Sequence, residues 1–467
     1  MSLNAIITKS ALELTNLIRK KQVSSTEVTQ AFLERIQQVN SKLNAVVQLD
    51  EVSALNAAKY ADKVLQSKNE LGPLHGLPIT IKDMIDVKGF HCSYGSKAYD
   101  NYRVNREATC IKKLRDAGAI IMGLTNVPEL GNAYEADNLI YGATNNPYNI
   151  SLSSGGSSGG AAAILASGGS PFDLGSDGGG SIRVPAHYCG IAGHKPTQGL
   201  VSLTGISLPF FGAGCLRPFG TLGPLARFVD DLILTLPIIS GVDAYDPNVV
   251  PVKLQDPNSV DLRGLKIAYY TDDGVVTPTK DIQDVVKKAA QFFASYGAEV
   301  VEDRPEGIER TYELHWEIFF LFGDGGQSVK DSLPLSADNL SALRKQFEQQ
   351  ASDCKLSFAE LGARFKEIAV LSANVYQFLN KYDLIICPPC ATTAKPHGQC
   401  LTEIKDFTYT MVYNNTGSPG TVVRCGTSQN GLPIGVQLVS NLWRDHISLA
   451  AAKALETEFG GWQLPAE

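Results

Sequence analysis

No stretch of this 467-residue chain gathers Lys and Arg into a basic run, and its formal net charge is -7. Neutralising phosphates needs basic side chains collected on one face, so nucleic acid is not an expected partner. Uninterrupted apolar runs of membrane-spanning length are also missing, and no transmembrane segment is expected. The opening MSLNAIITKS lacks the charged-then-apolar pattern of a secretory signal, which makes a cytoplasmic location the default expectation. Cysteine is thin, at nine residues, an odd count over a long chain. Disulfide scaffolds are short and cysteine-dense, so reduced thiols are the simpler reading. With no internal repeat and no clear linker, one domain is expected.

What the chain does have is material for a core. Hydrophobic residues make up 44% and charged residues 19%, which fits a chain folded almost throughout. Over residues 1–70 the pattern predicts packing helices: Ser24 and Glu27 form a capping box, and Val28, Ala31, Phe32 and Ile36 recur at helical spacing. From about Gly76 short apolar runs (LPITI, AIIMG, LKIAYY, DLIIC, GTVVRC) alternate with helical or Gly-rich segments. That alternation predicts an α/β fold, a single large domain with a central mixed, mostly parallel β-sheet covered by helices on both faces. Residues 308–380 are more helical and polar, with an aromatic island, HWEIFFLF, holding Trp316, Phe319, Phe320 and Phe322. These rings read first as a core-facing helix and second as the wall of an apolar substrate pocket.

Residues 76–200 carry the candidate chemistry. Gly178, Gly179 and Gly180 immediately precede Ser181. Without Cβ atoms, successive backbone N–H groups can turn toward one point and hold an anion beside the Ser181 hydroxyl, as an oxyanion hole does. A phosphate loop uses the same physics, but neither Gly cluster is followed by the Lys and hydroxyl of G-x-x-x-x-G-K-[ST]. Gly156-Ser157-Ser158-Gly159-Gly160 formally fits G-x-S-x-G, which means little in a segment so rich in Gly and Ser. None of the seven histidines stands in a recognisable triad context. Lys82 ends the apolar run LPITIK, and a buried lysine favours its neutral amine and can serve as a base. On these residues alone, a strand-end Lys82 paired with Asp83 stays equally open. The CPPC pair, Cys387 and Cys390, with His397 and Cys400 beyond it, is weak evidence for zinc or redox chemistry.

Taken together, GLPITIKD, GGSSGGAAA and GSDGGGSIRVPA resemble the amidase signature family of Ser-Ser-Lys hydrolases, and the motif spacing is similar to its fatty acid amide hydrolase branch. GATNNPYN, GHKPTQGLVSLTG, GPLARFVDDL and GLPIGVQLVS extend the likeness over most of the chain, with residues 300–380 matching least. The resemblance implies the amidase signature fold and cleavage of carboxamide bonds, with a side activity on esters. It implies that Lys82 deprotonates Ser157, that Ser157 relays the proton, and that Ser181 attacks the carbonyl. Backbone N–H groups of Gly178, Gly179, Gly180 and Ser181 would hold the oxyanion. Ser158, Asp177 and Arg183 would support the loop, and Ser157 would sit on a cis peptide. Asp173 departs from the family, whose members often carry a small residue there. No metal or organic cofactor is required, the partner is a small-molecule amide, and a homodimer is compatible with the sequence. The glutaminase subunit of a tRNA-dependent amidotransferase resembles the chain in the same motifs and is the alternative. The identity of the amide lies in pocket walls that these motifs do not specify.

Overall fold

The computed structural model describes residues 1–67, 70–100, 102–206, 219–321, 324–325, 327 and 339–466. Thirteen strands are found among them: β1 (Val46–Leu49), β2 (Pro78–Lys82), β3 (Ile120–Thr125), β4 (Asn145–Asn146), β5 (Asn149–Ser153), β6 (Phe172–Asp177), β7 (Ala192–Lys195), β8 (Thr221–Ala226), β9 (Lys266–Tyr269), β10 (Glu299–Glu302), β11 (Leu384–Cys387), β12 (Gly420–Thr427) and β13 (Pro433–Val439). β4 and β5 form a small hairpin, and the other eleven make one sheet in the order β1-β3-β2-β6-β8-β7-β12-β13-β11-β9-β10.

The sheet is mixed, as expected, but the parallel pairs are confined to its two flanks. β3-β2-β6 on one side and β11-β9-β10 on the other are parallel. The other six pairs, including the whole centre, are antiparallel, which corrects the expectation of a mostly parallel sheet. The connections explain this. A parallel pair needs a long crossover, which the helix Lys280–Tyr296 supplies between β9 and β10, whereas β12 returns as β13 through the turn at 428–432. Strands β2, β6, β8 and β13 are buried at every position, so they show no alternation of apolar and exposed polar residues, and polar members of β2, β6 and β13 such as Lys82, Asp173, Ser176, Asp177 and Gln437 are buried with them.

Helices close both faces. The Ser25–Leu43 helix starts at the expected Ser24/Glu27 capping box and buries Val28, Ala31, Phe32 and Ile36 in the main core. The helix Gly159–Ala166 is apolar all round and accordingly buried all round. Its Ala163 and Ile164 join the main core, while Ala162, Leu165 and Ala166 join a second cluster with Ile182 and Ala186. Ser157 and Ser181 are thereby carried on segments that enter one packed layer. In the 308–380 region, Thr311–His315 runs into a π-helical turn, Trp316–Phe320, and the helices Ala342–Asp353 and Phe358–Lys381 follow. Among the described residues no helix is long and apolar enough to cross a membrane.

Candidate active site

Parallel neighbours deliver their C-terminal ends to the same sheet edge. β2 and β6 are such neighbours, with Thr80 opposite Asp173 and Ile81 opposite Leu174. Lys82 ends β2, and Asp177 ends β6 just before the glycine run, so sheet geometry brings two distant motifs together.

The Lys82 Nζ lies 2.6 Å from Ser157 Oγ and 2.9 Å from Ser176 Oγ, and the lysine is completely buried. Burial penalises the ammonium and lowers its pKa to about 7, against the pull of Asp177 and Asp173. Asp83 is not its partner. That carboxylate instead accepts the Ser93 backbone N–H (2.9 Å) and the Ser93 hydroxyl (2.5 Å), and burial raises its pKa to about 7. The strand-end pairing left open by the sequence is therefore not what the fold makes. Asp173, the departure from the family pattern, takes hydroxyl bonds from Thr80 (2.7 Å) on the adjacent strand β2 and from Thr125 (3.2 Å) at the end of β3, one strand further on. Burial lifts its pKa to about 7 as well.

The Gly156–Ser157 peptide is cis, and Ser157 is 1% exposed. Ser181 is 7% exposed and is the one serine of the pair that lines a small, narrow cavity of about 10 Å³. Its carbonyl receives the Ser158 N–H at 3.1 Å, which ties the two serine segments together. Ser158 itself reaches the Ser176 carbonyl with its hydroxyl at 3.4 Å.

Asp177 and Arg183 are bonded to each other and to the loop between them. Arg183 meets Asp177 in a two-pronged contact, Nε to Oδ2 at 3.0 Å and Nη2 to Oδ1 at 2.9 Å, with neither side chain exposed. Arg183 and the Asn414 amide keep the Asp177 carboxyl well below the usual carboxylate range against its burial. The same carboxylate accepts the Gly180 N–H (2.8 Å) and the Ile182 N–H (3.1 Å). The Gly180 amide is thus committed inward, which removes it from the expected oxyanion set. The amides of Gly178, Gly179 and Ser181 have no such bond among the described residues. Arg183→Met should leave the Asp177 charge buried without its main counter-ion and cost about 3–5 kcal/mol of stability. Urea unfolding measures this, and a loss below about 1 kcal/mol, the size of a surface pair, would show that Asn414 and the amides suffice.

The aromatic island divides. Phe319 and Phe320 line the cavity together with Gly131, Ala133, Tyr134, Gly178, Gly179 and Ser181. Trp316 does not; it stacks on Tyr312 and packs against Phe320 and Phe347 behind the wall. Phe322 lies outside the described residues. Cys387 and Cys390 are buried free thiols, raised to about 11 by burial, with Gln437 and Tyr188 as their hydrogen-bonding neighbours. His187 and His194 serve packing: His187 Nδ1 accepts the Gly435 N–H, and His194 is held between Thr421 and Asp445.

Several residues around the site have no local signature. Gln437, inside GLPIGVQLVS, accepts from Arg183 at 2.7 Å, and Asn414 donates to Asp177 at 2.9 Å. Tyr134 and Thr410 both donate to the Gly179 carbonyl, at 2.8 and 2.7 Å. His315 bonds Asn415 Oδ1 through Nδ1 at 2.6 Å and is kept neutral by burial, with its pKa near 4. Only the motif around Gln437 offered a cue, and that cue carried no role.

The amidase family model matches residues 27–449. The fatty-acid amide hydrolase 2-B of Danio rerio is 33% identical over 99% of this chain and 91% of its own length. One subunit of the glutamyl-tRNA(Gln) amidotransferase of Caldanaerobacter subterraneus is 30% identical, over 96% of each chain. A solved fatty acid amide hydrolase superposes with a TM-score of 0.89 at 26% identity, over 98% of this chain and 86% of that one.

Proposed function

The chain belongs to the amidase family and is an enzyme that hydrolyses amides, and on that premise we propose a Ser-Ser-Lys relay acting on amides with an apolar acyl or aryl group. The observation that carries the relay is the 2.6 Å contact between a buried, readily neutral Lys82 and Ser157, just behind the cavity that Ser181 lines. The neutral amine accepts the Ser157 proton while Ser157 accepts that of Ser181. The Ser181 oxygen then bonds to the amide carbon, and the oxyanion is held by the amides of Gly178, Gly179 and Ser181. As the C–N bond breaks, the proton returns from Lys82 through Ser157 to the leaving nitrogen. Water repeats the sequence on the acyl-Ser181 intermediate and releases the acid.

The apolar character of the described wall supports this substrate class. Ala133, Tyr134, Phe319 and Phe320 contribute no charge to the described cavity lining, so an apolar group can approach Ser181 without desolvating an ion. Glutamine would bring an ammonium and a carboxylate that need counter-charges, which weighs against the amidotransferase reading. Unpaired thiols throughout the described cysteines support a reducing, cytoplasmic setting.

The test is a hydrolysis series over acetamide, longer alkyl amides, aryl amides and glutamine. Each buried methylene is worth about 0.8 kcal/mol, so kcat/KM should climb several-fold per methylene until the pocket is filled. Equal kcat/KM for acetamide and the larger amides, or a preference for glutamine, would overturn the substrate reading.

A further inference from the structure

The C=O of Gly179 and the N–H of Gly180 belong to one planar peptide unit. That unit is gripped at both ends. Its oxygen accepts the Tyr134 hydroxyl at 2.8 Å and the Thr410 hydroxyl at 2.7 Å, and its nitrogen donates to Asp177 Oδ1 at 2.8 Å. The grips come so close that side chains are excluded: a Cβ on Gly179 would stand 2.7 Å from the Tyr134 hydroxyl, and one on Gly180 would stand 2.3 Å from Thr410 Oγ1. Gly180 also holds φ at +131°, a region that L side chains rarely adopt.

Orientation of this plane sets ψ at Gly179 and φ at Gly180. Those torsions join the amide of Gly179 to the amide of Ser181, two of the three N–H groups free to face an oxyanion. We propose that Tyr134 and Thr410 are positioning residues of the hydrolysis: they lock the Gly179–Gly180 peptide so that the Gly179 and Ser181 amides converge on the tetrahedral intermediate. The proposal rests on the reading of Ser181 as nucleophile.

Tyr134 is built for the role. Its ring is stacked on Phe407 at 3.9 Å with an interplanar angle of 8°, and burial keeps its phenol protonated and therefore a donor. Among the described residues its hydroxyl donates only to Gly179, whereas the single Thr410 proton is shared with the Phe407 carbonyl at 2.9 Å. Tyr134 is thus the firmer grip, and its loss should cost more. Both side chains come from outside the motifs that surround the catalytic serines, and Thr410 arrives from the helix Thr408–Asn415.

Oxyanion stabilisation is felt in the transition state and not in bound substrate, and that difference separates positioning from simple support. In the full-length enzyme, Tyr134→Phe should lower kcat by at least about ten-fold while KM moves by no more than about two-fold. An aryl or alkyl boronic acid, which forms a tetrahedral anion on a serine, should lose affinity in parallel with kcat. A non-hydrolysed ground-state competitor should bind as before. Thr410→Val should show the same pattern more weakly, and Thr410→Ser, which keeps the hydroxyl, should recover most of that loss. Urea unfolding confirms that the variants fold, and either variant suffices if the other does not. Unchanged kcat, a rise in KM alone, or a kcat loss with undiminished boronate binding would overturn the proposal. Fluorophosphonate labelling of the wild type separates the two levels. Label on Ser181 together with an unaffected Tyr134→Phe variant sinks the lock alone, whereas label elsewhere sinks the nucleophile reading and the lock with it.

Discussion

Exchange of Ser181 for alanine should lower amide hydrolysis by about 10⁵- to 10⁶-fold, the scale seen when a serine hydrolase loses its nucleophile. Geometry singles this residue out. Of the two serines that follow the glycine clusters, Ser181 lines the cavity at 7% exposure, while Ser157 is 1% exposed with its hydroxyl turned to Lys82. Ser181 also lines that cavity together with Gly178 and Gly179, the other two residues whose amides are uncommitted among the described residues. A fluorophosphonate or carbamate probe should therefore leave its adduct on the peptide carrying Ser181, read by mass spectrometry. Ser157→Ala should keep that site chemically intact yet react slowly, because the proton path is cut. An adduct on Ser157, or a Ser181→Ala variant that still turns over at a tenth of the wild-type rate, would be incompatible with the mechanism.

Lys82→Ala should cost about 10³- to 10⁴-fold in amide hydrolysis, the upper part of the range for general acid–base catalysis, since base and leaving-group acid disappear together. Esters should lose less. An alkoxide departs without prior protonation far more readily than an amide anion, so the returned proton matters less to them. The pH dependence follows from the same group. Lys82 works as the neutral amine, and burial brings its pKa down to about 7, so wild-type kcat/KM should rise with pH and level off above about pH 7. Below that point each unit of acidity should remove about ten-fold, because an ammonium has no lone pair to accept the serine proton. Asp173 and Asp83 share a raised pKa near 7, yet both are bonded to hydroxyls and neither contacts Ser157 or Ser181 among the described residues. The Lys82→Ala variant separates their titration from that of the relay. If that variant keeps its circular dichroism spectrum and hydrolyses amides at the wild-type rate, Lys82 is only a strand-end cation.

The division between what could be read in advance and what could not follows contact distance along the chain. Ser24, Glu27 and the Val28–Ile36 stripe act within one helix, and short-range periodicity is enough to find them. Ser181 after three glycines, and Lys82 closing an apolar run, are likewise local patterns whose chemistry can be stated before any coordinates exist. The aromatic island was legible as apolar, but which rings face the cavity was not: helical neighbours Trp316 and Phe320 differ only in the direction that tertiary packing gives them. Direction of pairing in the central sheet was equally hidden, because an all-buried strand looks the same in parallel and antiparallel company.

The amino-acid order alone pointed to the α/β class and to a glycine-rich loop ahead of Ser181, while the set of Lys82, Ser157 and Ser181 came from the resemblance of three motifs to a family. Only the folded chain decided that Lys82 meets Ser157 rather than Asp83, that the Gly180 amide is consumed by Asp177, and that Tyr134, Thr410, Asn414 and Gln437 surround the loop. The physical reason is that hydrogen-bond partners and burial belong to space and not to sequence. A lysine is an ordinary cation in an extended chain, and its neutral form comes within reach near pH 7 once β2, β6 and the helices over them have taken the water away.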